Sequence, residues 1–60
     1  MTVEVTQDLL RAAVAERQSL RDRGAAAGVL EWNRLRIVAL QWELSRALVA
    51  RFSPPVRAAA

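Results

Sequence analysis

The chain contains no cysteine, no histidine and no tyrosine, and each absence removes a class of function. Without cysteine there is no disulfide, no thiolate nucleophile and no thiolate ligand for zinc. Without histidine the acid–base groups are six scattered carboxylates, and the few hydroxyls have no base to activate them. We therefore expect a non-enzymatic protein with no catalytic residues, no metal and no cofactor.

Lysine is also absent, so all nine basic residues are arginine, set against six acidic residues for a net charge of +3. The sequence pI of about 11.5 reflects the lack of groups that titrate between carboxylates and guanidinium groups, rather than a high charge. Because acidic side chains are interleaved with the arginines, a solvated surface is favoured over a phosphate-binding track. The arginines that could contact phosphates gather near the predicted turn: Arg17, Arg21, Arg23, Arg34 and Arg36.

The two glycines and two prolines divide the chain into helical segments. Strong helix formers fill residues 7–23, and Gly24 follows basic residues, as is typical of a helix C-terminus. Residues 29–52 contain neither glycine nor proline, and Pro54 and Pro55 then prevent the helix from continuing. We predict one small all-α domain over residues 1–60. It has helix 1 at about 7–23, a turn at 24–28, helix 2 at about 28–52 and a flexible tail at 53–60.

Two local alternatives remain open from the sequence. The alternation of Val3 and Val5 with polar residues indicates either a short strand over residues 1–6 or a frayed helix start, with Thr6 as an N-cap. The two glycines also permit a single helix that continues through residues 24–28. An antiparallel hairpin is favoured, because it places the acidic start of helix 1 beside the basic end of helix 2.

Residues 29–52 are long enough to span a bilayer, but we expect no membrane insertion. Each charge near the middle of a membrane costs about 2.5–3.5 kcal/mol. The N-terminal sequence MTVEVTQD is acidic and lacks the apolar core of a signal peptide, so we expect a cytoplasmic protein. The charges inside the segment are Glu31, Arg34, Arg36, Glu43 and Arg46.

Helix 2 carries apolar residues on two opposite arcs, since successive residues are rotated by about 100°. The first arc contains Leu30, Ile37, Leu40, Leu44, Ala47 and Leu48. The second arc contains Trp32, Leu35, Val38, Ala39, Trp42 and Val49. The apolar face of helix 1 is narrower, with Leu9, Ala13 and Leu20 at its centre, so it can cover one arc only. The other arc requires a second partner.

The second arc is therefore predicted to be a protein interface. Tryptophan and arginine are frequent at interface hot spots, and Arg36 and Arg46 each follow a tryptophan by four residues, the spacing for a cation–π contact. The alternative is that both tryptophans are core residues covered by helix 1. We predict an interaction module (a scaffold, regulator or accessory subunit) that pairs with itself as a homodimeric four-helix bundle or with a larger protein. The interface residues are Trp32, Leu35, Val38, Trp42, Val49 and Phe52.

The order of elements, a valine-alternating start followed by two helices around a glycine turn, resembles the ribbon-helix-helix layout. That family consists of dimeric DNA-binding repressors and antitoxins, so the resemblance implies a small DNA-binding regulator as the alternative function. Residues 1–6 would form the ribbon, with Thr2, Glu4 and Thr6 facing the bases. The chain departs from the family pattern because this ribbon has no basic residue and the turn GAAAG has no polar residue to open helix 2.

Overall fold

The computed structural model describes residues 1–52 and shows two α-helices joined by a short turn. α1 comprises Val3–Asp22 and α2 comprises Ala27–Phe52. No strand occurs within residues 1–52. The prediction of two separate helices is confirmed, while the predicted tail at 53–60 lies outside the described residues.

The start of α1 differs from the prediction, which placed it at about residue 7 with Thr6 as the cap. Thr2 is the N-cap instead: its backbone is extended, and its side-chain oxygen accepts a hydrogen bond from the Val5 amide at 3.1 Å. Glu4 lies in the first turn, where a negative charge suits the helix dipole. A cap four residues earlier therefore makes residues 3–6 helical, and the ribbon implied by the ribbon-helix-helix resemblance is absent.

The end of α1 is formed by Gly24, as the sequence predicts. Gly24 has a φ of 67°, the left-handed conformation that favours glycine. The Gly24 amide donates to the Arg21 carbonyl at 3.1 Å, and the Ala25 amide donates to the Leu20 carbonyl at 2.9 Å. These two bonds make a Schellman motif that satisfies the last carbonyls of α1. As a result α1 ends at Asp22 and α2 begins at residue 27, each one residue before the predicted position.

The two helices pack antiparallel, because residues early in α1 meet residues late in α2. Arg17 donates through Nη1 to the Leu30 carbonyl at 3.0 Å near the turn. At the open end, Arg51 forms an ion pair with Glu4 at 2.9 Å. The expected position of the acidic start of helix 1 beside the basic end of helix 2 is thus confirmed.

The apolar core between the helices is small. Within residues 1–52 the buried apolar side chains are Val3, Ala13, Leu20 and Leu40. Residues of the first arc of α2 surround them in half-buried positions: Leu30, Ile37, Leu44 and Ala47. The arc predicted to face helix 1 does so, except that Leu48 at its edge is 37% exposed. A core of this size leaves an isolated hairpin only marginally stable.

A polar cluster completes the contact between the helices, centred on Asn33. This side chain is fully buried, and its amide nitrogen donates to the Ala13 carbonyl at 3.1 Å and to Glu16 Oε1 at 3.2 Å. Its amide oxygen accepts a hydrogen bond from Arg17 Nη1 at 3.3 Å. Because each partner belongs to α1, the cluster fixes how far one helix is shifted along the other.

Replacing Asn33 by alanine tests this role. The Asn33→Ala variant leaves the Ala13 carbonyl without its side-chain donor and opens a small cavity, at a cost of about 1–3 kcal/mol. We expect the midpoint of thermal unfolding, followed by far-UV circular dichroism at one fixed protein concentration, to fall by roughly 4–8 °C for each kcal/mol.

The matched control is Gln18→Ala, since Gln18 is an exposed amide that bonds only to Asp22 on its own helix. Exposed substitutions of this kind usually change stability by about 0.5 kcal/mol or less. Equal melting temperatures for the two variants would contradict the role assigned to Asn33.

Candidate protein-interaction surface

The apolar side chains predicted as an interface form a largely exposed face of α2. We call this set the tryptophan face: Trp32, Leu35, Val38, Trp42, Val49 and Phe52. Trp42 is 67% exposed and Trp32 is 64% exposed. Leu35, Val49 and Phe52 are also exposed by half or more, and Val38 is half-buried among its neighbours. The tryptophans are therefore not core residues of the hairpin.

The tryptophan face points away from α1 because of its helical phase. Trp42 follows the buried Asn33 by nine residues, which at about 100° per residue is half a turn. Leu35, Val38 and Val49 lie within about 40° of Trp42 around the helix axis, and Trp32 and Phe52 lie on the two flanks. The face thus runs along the back of α2, out of reach of the only other helix within residues 1–52.

A shallow groove runs beside Trp42. Its lining residues are Val38, Gln41, Trp42 and Ser45. Their spacing of i, i+3, i+4 and i+7 is that of the four-residue hole into which a facing helix inserts a side chain. The shape of the groove therefore suits a helical partner.

A second groove of the same spacing lies on α1 beside the half-exposed Val14, but it is lined by the polar Gln7 and Arg11 as well as Leu10.

Two ion pairs border the tryptophan face. Glu31 pairs with Arg34 at 2.6 Å near the start of α2, and Glu43 pairs with Arg46 further along. The Arg34 hydrogen bond lowers the pKa of Glu31, and the same bond raises the pKa of Arg34. All four side chains remain at least 41% exposed, so these are surface pairs that contribute little to stability.

The cation–π contacts expected of Arg36 and Arg46 with the tryptophans do not form. Within residues 1–52 the contact of this kind is between Arg51 and Phe52, at 5.9 Å from the guanidinium carbon to the ring centre. Arg46 is held by Glu43 instead. Both tryptophan rings therefore remain available to an external partner.

The arginines proposed for phosphate contacts are only partly available. The structure engages Arg17 with Leu30 and Asn33 inside the hairpin, and Arg34 with Glu31. The remaining three lie exposed near the turn, without an ion pair among residues 1–52: Arg21, Arg23 and Arg36. Phosphate contact by any of the five arginines stays a prediction.

The burial of two polar residues, Thr6 and Asn33, was not predicted from the sequence. Thr6 was predicted as an N-cap, but it is fully buried inside α1 and donates from Oγ1 to the Thr2 carbonyl at 2.8 Å. Asn33 is equally buried. The available signal was its position on the first arc, three residues after Leu30 and four before Ile37. A single polar residue on an otherwise apolar arc is a known device for fixing the register of paired helices.

Other kinds of site are not evident in the described part of the chain. Residues 1–52 contain no cluster of three or more potential ligands that could hold a metal ion. Neither α1 nor α2 has the combination of length and apolarity needed to cross a membrane. No protein-family model, curated protein or solved structure matches the chain.

The lowered pKa of Glu31 gives a test of the ion pair beside the tryptophan face. Replacing Arg34 by glutamine removes the charged donor, so the Glu31 pKa should rise toward its ordinary value in an NMR titration of the side-chain carboxyl carbons. Since the folded-state pKa is lowered, the pair stabilises the fold above the unfolded pKa, and this contribution is lost as the pH falls through the folded pKa. Arg46→Gln is the control, and an equal rise in that variant would contradict the assignment.

Proposed function

We propose that the protein is a non-enzymatic protein–protein interaction module in the cytoplasm that acts through the tryptophan face of α2. The observation that carries the proposal is the exposure of two tryptophans on the helix face opposite α1. Monomeric proteins rarely leave so much contiguous apolar surface in water, and patches of this kind mark interaction sites.

The energetics support the same proposal. Burial of one large apolar side chain contributes about 1.5–3 kcal/mol, and five members of the tryptophan face are exposed by half or more. Their combined burial is comparable with the whole stability of a small domain, about 5–15 kcal/mol. Apolar burial on this face is therefore large compared with the marginal stability of the hairpin alone.

The partner is a second copy of the chain or a larger protein. The simplest assembly pairs two hairpins through their tryptophan faces, as a homodimer of four helices with two-fold symmetry. A scaffold, regulator or accessory subunit would use the same face toward another protein.

Substitution of Trp42 by glutamate tests the proposal. The wild-type chain should sediment above the monomer mass at micromolar concentration, with a melting temperature that rises with concentration. The Trp42→Glu variant should sediment as a monomer and melt at a lower temperature, because a charge cannot be buried in an apolar contact without a partner.

The matched control is Ala15→Glu, since Ala15 is an exposed residue of α1 outside both grooves. This variant should keep the wild-type mass and melting behaviour. A soluble wild-type monomer that melts cooperatively, independently of concentration, and is unaffected by Trp42→Glu would contradict self-association through the tryptophan face and leave only a different protein as the partner.

The competing proposal is a small DNA-binding regulator, and it rests on the exposed Arg21, Arg23 and Arg36. Phosphate binding weakens steeply with salt, whereas apolar association does not. We expect self-association to persist from about 50 to 200 mM salt, with no binding of duplex DNA at the upper end in a fluorescence anisotropy titration. DNA binding that survives there with a steep salt slope, and that is lost when the three arginines are replaced by glutamine, would favour the regulator.

A further inference from the structure

We infer that the tryptophan face is covered by a second copy of the chain, with the two α2 helices antiparallel. The two-fold axis passes near the midpoint of α2, so that Glu31 of each copy lies beside Arg46 of the other. The inference rests on the proposed function and specifies its partner and geometry.

The groove beside Trp42 has a shape that can receive a side chain from a partner helix. Its four residues, Val38, Gln41, Trp42 and Ser45, have the spacing of a knobs-into-holes site. When two copies of α2 pack about an axis near the helix midpoint, Val38 of one copy lies level with this groove in the other. The same face then supplies both the inserted side chain and the hole, as a two-fold interface requires.

The charged residues beside the tryptophan face favour the antiparallel orientation. Glu31 lies near the start of α2 and Arg46 toward its end, both within about 40° of Trp42 around the axis. Each already forms an ion pair within its own copy, Glu31 with Arg34 and Arg46 with Glu43, and their side chains remain 54% and 71% exposed, so each can also meet a charge of the other copy. Antiparallel pairing places each carboxylate near the guanidinium group of the other copy, whereas parallel pairing would place like charges together. Of the two orientations, the antiparallel one therefore has the better charge complementarity.

The positions along α2 agree with this arrangement. The midpoint of α2 lies between Ala39 and Leu40. Glu31 precedes the midpoint by eight to nine residues and Arg46 follows it by six to seven, a mismatch of about 3 Å that long side chains can span. The same pairing brings Val49 of one copy close to Gly28 of the other. A Cβ atom at Gly28 would have no neighbour within 4 Å inside the hairpin, so there is room for close approach.

The exposed apolar area of the tryptophan face is comparable with that of a standard dimer interface. A tryptophan side chain buries roughly 150–250 Å² when covered, and Trp32 and Trp42 are each about two-thirds exposed. Together with Leu35, Val49 and Phe52 they supply several hundred Å², the greater part of the roughly 800 Å² per partner of a standard interface. Because α1 lies on the opposite side of α2, the dimer is a row of four helices with the α2 pair in the middle, an arrangement that differs from the four-helix bundle expected from the sequence.

Cysteine cross-linking tests the orientation of the two α2 helices. The natural chain has no cysteine, so only the introduced residue can react with the cross-linker. The variants are Ala39→Cys, close to the two-fold axis, and Val49→Cys, which antiparallel packing separates from its counterpart by roughly 28 Å. With a short bis-maleimide reagent, we expect Ala39→Cys to give a covalent dimer and Val49→Cys to remain unlinked. Linkage of both variants (a parallel pair), or of neither in a chain that sediments as a dimer, would overturn the inference while leaving the proposed function intact.

Charge reversal tests the pairing of Glu31 with Arg46. Glu31→Arg and Arg46→Glu should each weaken the homodimer on the order of tenfold, because each creates two repulsive contacts. An equimolar mixture of the two variants should recover wild-type affinity to within about threefold, since the mixed dimer restores opposite charges at both contacts.

The matched control reverses Asp8 and Arg11, which form an exposed pair of the same i,i+3 spacing on α1. Asp8→Arg and Arg11→Glu should leave the dimer unchanged. Weakening by these controls equal to that by the α2 variants, or no recovery on mixing, would contradict the Glu31–Arg46 contact. A wild-type chain that is monomeric throughout would instead contradict self-association as such.

Discussion

The side-chain amide of Asn33 has no access to solvent, so all of its hydrogen bonds must come from within the hairpin. Both of its donors and its acceptor find partners on α1. Apolar contacts are not directional, and a few buried alanine, valine and leucine side chains would tolerate several shifts of one helix along the other. A shift by one turn would strand the Asn33 amide in the interface, at a cost comparable with a lost hydrogen bond or more. The register of the hairpin therefore depends strongly on Asn33, and the Arg17–Leu30 and Glu4–Arg51 contacts agree with the same alignment.

The same constraint determines which surface is exposed. Once Asn33 faces α1, the helical period directs Trp42 away from it, and Leu35, Val38 and Val49 share that direction. The exposure of the tryptophan face is thus a consequence of how the hairpin packs. Arg17 contributes to both results, because its bonds to Asn33 and to the Leu30 carbonyl hold its half-buried side chain against α2.

The sequence predicted the parts of the fold that depend on strong local signals. Gly24 marked the end of the first helix because a left-handed residue is needed there, and the period of apolar residues in α2 separated the covered arc from the exposed one. The start of α1 was missed because the alternation of Val3 and Val5 fits a strand and a helix equally over so few residues, and Thr2 and Thr6 are both suitable caps. Asn33 was missed for two reasons. A count of apolar positions passes over a polar residue, and the hydrogen-bond partners that allow its burial belong to the other helix.

Within residues 1–52 only four apolar side chains are buried, and α2 has an apolar face on each of two sides. The stability of the chain therefore depends on packing against α1 and on a partner that covers the tryptophan face. Because binding to the folded state stabilises it by mass action, a partner on the tryptophan face contributes to folding as well as to assembly. Changes on that face alter association directly and stability through it, whereas changes in the Asn33 cluster alter the packing of the hairpin directly and leave the tryptophan face itself unchanged. The two faces of α2 thus allow the cost of disturbing the fold to be separated from the cost of disturbing the association. Asn33 faces α1 and does not reach the tryptophan face. Its substitution therefore changes the stability of the hairpin without changing the surface that a partner would bind.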